Sequence, residues 1–133
     1  MVKFVIDLSF VIHYVEVDKF YSDEHLGKML DKAVPRFTMN NPLFTISIDV
    51  IEKAKIMYPE RHLVLDSLFG LCKKEDVNGD HVIDTLVKLA AICEVDDKET
   101  YVISDDKFII NSLNKTTHKA IDIKRAKEIL GIS

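Results

Sequence analysis

Short apolar runs separated by helical patterns constrain the fold of this chain more than any other feature. Residues 2–7, 43–47 and 100–104 are rich in β-branched and aromatic side chains, a composition typical of buried strands. Between these runs apolar residues recur three and four positions apart, with breakers at 58–59 and 78–79. Strands that alternate with helices pair in parallel through right-handed crossovers. The pattern therefore predicts an α/β fold, a three-layer sandwich around a central, mainly parallel sheet of four to five strands.

The individual elements follow from the same periodicity and its breakers. We predict strands near 2–7, 43–47, 100–104 and 118–122, and helices near 9–15, 22–33, 48–57, 62–74, 81–94, 106–113 and 123–130, with Gly131 in the last C-cap position. The chain length of 133 residues suits one domain over 1–133, because it is enough to bury a sizeable single core.

Composition and charge limit the compartment and the partners. No apolar run approaches the ~20 residues that span a bilayer, and the start lacks a secretory signal pattern, so we expect no membrane association. Cys72 and Cys93 are too few for a disulfide framework and favour reduced thiols in the cytoplasm. With a formal net charge of −4, a nucleic-acid enzyme of this kind needs bound metal, a local basic rim or a partner.

Four acids accompany the apolar runs, each at or near the end of a predicted element. Asp7 and Asp105 end strands, Asp84 opens a helical pattern, and Glu52 lies just downstream of the second strand. In an open parallel sheet the carboxyl ends of the strands face one crevice, where ligands bind. Carboxylates that converge there suit Mg²⁺ or Mn²⁺ better than a soft metal. The competing interpretation is that Asp7 and Asp105 each cap a helix, which is the commoner role of a lone Asp after a strand.

Four segments in the order of the chain resemble the PIN-domain family. These are Asp7-Leu8-Ser9-Phe10-Val11-Ile12, Asp84-Thr85-Leu86-Val87-Lys88-Leu89-Ala90-Ala91, Tyr101-Val102-Ile103-Ser104-Asp105-Asp106-Lys107-Phe108, and residues 120–130. They are similar to the family's strand-ending Asp with a small hydroxyl residue, its Asp-led helix containing alanines, its strand ending in Thr-Asn-Asp, and its closing strand and helix. The resemblance covers nearly the whole chain and implies a single PIN-like domain.

The resemblance implies a metal-dependent endoribonuclease that cleaves RNA phosphodiester bonds, with toxin members of toxin–antitoxin pairs among its relatives. Asp7, Asp84 and Asp105 would be the metal ligands, and Glu52 the fourth acid of the catalytic set. Ser9 would help to hold the water on the metal. The same resemblance suggests a homodimer or a small antitoxin-like protein as partner.

Two positions depart from the family pattern and leave alternatives open. The spacing from Ser47 to Glu52 is one residue shorter than usual, so Asp49 is a rival for that role. Two acids, Asp105 and Asp106, stand where the family has one key Asp. Asp105 fits better because it follows the strand directly.

Three other functional interpretations compete with the nuclease. The first is a PIN-like domain with weak or no catalysis that acts as a binding module in a larger complex, which the negative net charge favours. The second is a phosphate-handling receiver-type domain, although only Asp7 stands where that class has an acid pair. The third is a calcium loop starting at Asp76-Val77-Asn78-Gly79-Asp80, in which His81 and Val87 occupy positions that need Gly and an acid.

Overall fold

A computed structural model describes residues 2–20, 44–96 and 99–129. The elements in chain order are β1 (Lys3–Ile6), α1 (Leu8–Phe20), β2 (Phe44–Ser47), α2 (Ile48–Met57), a 3₁₀ turn (Pro59–Arg61), α3 (His62–Phe69), β3 (Cys72–Glu75), α4 (Val82–Asp96), β4 (Thr100–Ile103), α5 (Lys107–Asn114), β5 (Lys119–Ile121) and α6 (Ile123–Ile129). The predicted helix over 22–33 and the C-cap at Gly131 lie outside the described residues.

The five strands form one sheet in the order β3-β2-β1-β4-β5, and every pair is parallel. Val5 of β1 lies opposite Thr45 of β2 on one side and Val102 of β4 on the other. The chain builds outward from β1 to β3 and then returns to place β4 beside β1. The strand order therefore reverses between β1 and β4, and the predicted α/β fold with a parallel sheet is confirmed.

Alternating side chains of the strands supply two separate cores, which makes the molecule a three-layer sandwich. On one face, Phe4 and Ile6 pack with side chains of α1, α2, α3 and α6. On the other face, Val5 and Val102 pack with side chains of α4 and α5. Because both faces are covered, the strands read as continuous apolar runs rather than as alternating patterns.

The edge strand β3 was missed, because the sequence was predicted to continue as a helix to residue 74. Helix α3 instead ends at Phe69, and the Gly70 N–H donates to the Asp66 carbonyl at 2.9 Å. Cys72 is buried at the start of β3, whereas Lys73 and Lys74 are exposed. Charged residues, especially lysine, are common on edge strands because they prevent pairing with other chains. They also remove the apolar run by which a strand is recognised.

Helix α1 is longer than the predicted 9–15, and the remaining boundaries differ from prediction by a few residues. Within the described ranges, no helix combines the length and the apolar character needed to cross a bilayer.

Candidate functional site

The candidate site lies at the carboxyl ends of β1 and β4, where the strand order reverses. Open α/β sheets bind ligands at such a reversal, because the flanking connections leave on opposite faces and open a crevice. Asp7 directly follows β1, and Ser104 directly follows β4. Both residues are buried, with Asp7 1% exposed and Ser104 fully enclosed. The site is therefore founded on two buried polar side chains at adjacent strand ends.

Three donors hold the Asp7 carboxylate. The Ser9 hydroxyl and the Phe10 N–H donate to Oδ1 at 2.6 and 2.9 Å, and the Ser104 hydroxyl donates to Oδ2 at 2.6 Å. The bond from Phe10 makes Asp7 the N-cap of α1, so the capping interpretation holds for this residue. Capping and burial together fix the orientation of the Asp7 side chain.

The same hydroxyls also join the β4 end to the β1 end through backbone groups. The Asp105 N–H donates to the Ser9 oxygen at 2.7 Å, and the Asp106 N–H donates to the Ser104 oxygen at 3.0 Å. Each serine therefore donates to Asp7 and accepts from the loop after β4. A network in which neighbouring polar groups are bonded to one another at both strand ends is rigid, because movement of either end breaks one of the bonds.

Burial is the largest influence on the pKa of Asp7 and raises it above the ordinary value for an aspartate. The hydrogen bonds from Ser104, Ser9 and Phe10 act in the opposite direction, because they stabilise the charged form. The nearby charge of Asp106 raises the pKa further. Asp7 is therefore an acid whose charged form is costly unless a cation compensates it.

The two adjacent acids after β4 have different surroundings. Asp105 is exposed, and its Oδ2 lies 3.8 Å from Nδ1 of His13 on α1. Asp106 caps α5 by accepting from the Phe108 N–H at 2.9 Å, so the helix cap expected at Asp105 belongs to its neighbour. Asp106 lies on the same cavity as Asp84, whereas Asp105 does not. Of the two acids left open by the sequence, Asp106 is the one that faces the other acids.

Asp84 lies in the first turn of α4 and is exposed. Gly79 of the preceding loop packs against this turn so closely that a Cβ there would meet Cβ of Asp84 at 2.5 Å. The Gly79 N–H also donates to the Thr85 hydroxyl at 2.8 Å. The glycine thus permits the loop to contact the start of α4.

A cavity of about 640 Å³ opens between the beginnings of α4 and α5. We call it the Phe108 cavity; its lining residues are His81, Val82, Ile83, Asp84, Asp106, Phe108 and Ile109. It brings together two acids from distant parts of the chain in mainly apolar surroundings.

A narrower cavity of about 50 Å³ contains Asp7 and the start of α2. Asp49 lines this cavity, and its Oδ2 pairs with Nζ of Lys53 at 3.0 Å, one turn further along the helix. Val82 lines both this cavity and the Phe108 cavity, so the two adjoin. Glu52 is exposed on α2 and is not among the lining residues of either cavity. Of the rival acids on α2, Asp49 is the one beside Asp7.

A third cavity of about 550 Å³ also contains Asp106, and all its lining residues except Ile12 have polar or charged side chains. His13 and Lys107 line it, together with Ser9, Glu16 and Asp105. Asp106 therefore separates an apolar cavity from one that contains a cationic side chain.

The donor chemistry of these acids suits a hard divalent cation, because carboxylate oxygens are the preferred ligands of Mg²⁺ and Mn²⁺. Their arrangement fits such an ion only in part. Over residues 2–20, 44–96 and 99–129, no three His, Cys, Asp or Glu side chains form a group that could hold a metal ion. Asp7, Asp84 and Asp106 thus share a region without forming a closed ligand set.

The segment proposed as a calcium loop is closed by its own protein contacts. The Asn78 carbonyl accepts from Nζ of Lys88 at 3.0 Å, and Gly79 is bonded to Thr85 as described above. These contacts attach the loop to α4.

Sequence reasoning missed Ser104 as a member of the site. The residue stands directly before the two acids, but a serine after a strand carries no distinctive signal. Its role becomes evident only when β1 and β4 are known to be neighbours.

Comparison of the chain with protein-family models, curated proteins and solved structures found no match.

Proposed function

We propose that this chain is a PIN-like endoribonuclease that depends on Mg²⁺ or Mn²⁺ and cleaves RNA phosphodiester bonds. The observation that carries the proposal is the position of Asp7, Asp84 and Asp106 on two adjoining cavities at the reversal of the strand order. An all-parallel sheet in the order β3-β2-β1-β4-β5, covered on both faces, agrees with such a domain.

Each acid would have a distinct task. Asp7 would provide a fixed ligand, because Ser9 and Ser104 hold its orientation. Asp84 and Asp106 are exposed, so they can approach a cation without breaking a buried network. A bound divalent ion supplies an activated water and offsets the charge that develops on the leaving oxygen.

Two further groups would assist in binding the substrate. Lys107 and His13 line the polar cavity beside Asp106, where a cationic side chain can contact the phosphate backbone. In this proposal Asp106 replaces Asp105 as the ligand after β4, because Asp105 faces His13 and the polar cavity. Asp49 is preferred to Glu52 as the acid from α2, since it lines the cavity of Asp7.

A second candidate is a PIN-like binding module with weak or no catalysis. The observation that favours it is the missing three-acid group within the described ranges, together with the Lys53–Asp49 ion pair beside Asp7. An ion pair in this position neutralises one acid of the site.

Cleavage of a mixed single-stranded RNA in Mn²⁺ and in EDTA tests the proposal. We expect wild-type cleavage only with Mn²⁺, and a rate at least ~100-fold lower for Asp84→Asn, the size of effect seen when one charge-stabilising group is removed. Asp66→Asn is the matched control, because Asp66 is an exposed acid on α3, away from the site. Equal rates for the three proteins would contradict the nuclease, and RNA binding without cleavage would favour the binding module.

A further inference from the structure

Phe108 exposes its ring at the entrance of the candidate site. The residue is 70% exposed, although a large aromatic side chain gains most from burial. Its backbone N–H is fixed by the Asp106 cap, so the start of α5 holds the residue in place. Val82 on the opposite side of the same cavity is also 52% exposed. The entrance of the Phe108 cavity is therefore an apolar surface beside two carboxylates.

The lining of this cavity restricts what it can bind. The carboxylates of Asp84 and Asp106 repel a phosphate. The residues that line the Phe108 cavity, all in the described part of the chain, include no Lys or Arg. A nucleobase is uncharged and presents a flat face to an aromatic ring. It also carries N–H groups that can donate hydrogen bonds to the two carboxylates. The volume of about 640 Å³ lies within the range of roughly 300–1,000 Å³ usual for small-ligand sites.

The neighbouring polar cavity contains a cationic side chain beside its acids. Lys107 follows Asp106 directly and lines the cavity on its other side, with His13 and with Glu16 and Asp105. A strand that crosses at Asp106 can therefore place a base against Phe108 and a phosphate near Lys107. An unpaired base enters such a site more easily than a paired one, because a base in a duplex must first be unpaired and unstacked.

We propose that the Phe108 cavity is a base-binding subsite, in which an unpaired RNA base stacks on Phe108 beside the acids that cleave the strand. This inference rests on the proposed function and deepens it, because it makes single-stranded RNA the substrate and Phe108 a specificity-determining residue. It predicts that bases, and not the phosphate backbone alone, contribute to affinity.

Tryptophan fluorescence can test the subsite without cleavage. The chain contains no Trp, so Phe108→Trp introduces a single indole that keeps the capacity to stack. The probes are a single-stranded RNA octamer, the same octamer as a duplex, an abasic octamer with an identical backbone, and an arginine-rich peptide, all in EDTA at low salt. Leu63→Trp on α3, where the residue is 72% exposed, provides the matched control.

We expect the single-stranded octamer to quench the emission of Phe108→Trp, and the duplex and the abasic octamer to leave it unchanged. The Leu63→Trp emission should not respond to any probe. In a separate titration by fluorescence anisotropy, Phe108→Ala should bind a labelled single-stranded octamer about 10-fold more weakly than wild type, within the range for loss of one stacked base.

Equal quenching by the abasic octamer would overturn the proposal, because it would assign the cavity to the backbone. Quenching by an arginine-rich peptide with no response to RNA would overturn it as well and assign the cavity to a protein partner. Unchanged RNA affinity of Phe108→Ala would also overturn the proposal, because stacking on Phe108 would then contribute nothing to binding. Because all of these measurements exclude divalent metal, they can fail or succeed independently of RNA cleavage.

Discussion

The candidate site at the carboxyl ends of the strands has an inner and an outer half, and the two are built differently. The inner half consists of Asp7 and Ser104 at the ends of two adjacent strands and Ser9 in the first turn of α1, and a hydrogen-bond network holds the three side chains together. The outer half, formed by Asp84, Asp106 and Phe108, lies at the beginnings of two helices and is exposed.

Because of this difference, the inner half can fix the position of a ligand and the outer half can adjust to one. Strand ends in a packed sheet cannot move without disturbing both cores, so the inner half provides a fixed reference. Asp84, exposed in the first turn of α4, can change rotamer at little cost, whereas Asp106 is held by its bond from the Phe108 N–H. A site built from both halves can therefore hold its inner ligand rigidly and adjust Asp84 around a bound ion or substrate.

One of the largest effects we expect lies in the outer half. Asp106→Asn should lower the rate of RNA cleavage by about 100-fold, or about 2.7 kcal/mol in activation free energy. Asp105→Asn should change the rate by less than about 3-fold, because Asp105 faces His13 and is absent from the Phe108 cavity. Single-turnover rates with saturating enzyme provide the measurement. The reverse ranking would return the ligand role to Asp105 and remove Asp106 from the outer half.

A metal ion should connect the two halves and stabilise the fold. At ~100 times the dissociation constant, Mn²⁺ or Mg²⁺ should add about 2.7 kcal/mol to the free energy of unfolding. The gain should persist in Asp76→Ala and disappear in Asp7→Asn. Thermal melts with and without the ion provide the measurement. Melts indifferent to Mn²⁺, Mg²⁺ and Ca²⁺ at several millimolar would argue for the binding module, and loss of the gain in Asp76→Ala would revive the calcium loop.

Stability without metal should depend more on the shape of the inner half than on its charge. Asp7→Ala removes the cap of α1 and leaves the buried Ser104 hydroxyl without its acceptor, which should cost about 2 kcal/mol. Asp7→Asn keeps an acceptor for Ser9 and Phe10 but turns an N–H donor toward Ser104, so it should cost about 1 kcal/mol, less than Asp7→Ala. Urea unfolding in EDTA measures both variants. Equal losses would mean that the charge of Asp7, rather than its hydrogen bonds, supports the fold.

The smallest effect concerns pH. Burial raises the pKa of Asp7, so the folded state binds its proton more tightly than the unfolded state does. The stability that this group contributes is therefore fully present below pH 3.8, the pKa of a free aspartate, and is lost as the pH rises through the raised pKa of the folded state. In EDTA, wild type should gain stability relative to Asp7→Asn as pH falls from neutral. A relative loss would reverse the assigned sign of the shift.

The sequence was sufficient for the layers of the fold because strands buried on both faces leave continuous apolar runs. Residues 2–7 and 100–104 gave such runs, and their parallel pairing follows from the intervening helices. Strand β3 escaped prediction because its position at the sheet edge permits two exposed lysines in four residues. Whether a strand lies at the edge of a sheet depends on the strands beside it in the fold, and local sequence periodicity carries no information about them.

The sequence predicts which segments form the site, but it does not predict which side chains within those segments take part. That Asp7 and the acids after β4 meet follows from topology, whereas the choice between Asp105 and Asp106 depends on which one caps α5. The pairing of Asp49 with Lys53 was readable from their spacing of four on a helix. The exposure of Phe108 could not be predicted in this way, because it depends on how the beginnings of α4 and α5 are placed around their shared cavity.

The most direct test of the account is the cleavage rate of Asp7→Asn with Mn²⁺, measured beside its melting temperature in EDTA. Cleavage should be at least ~100-fold slower than in wild type while the melting temperature falls by only a few degrees, because the substitution removes a ligand and the Ser104 bond but keeps an acceptor for Ser9 and Phe10. Cleavage at the wild-type rate by this folded variant would contradict the claim that the inner and outer halves form one catalytic site.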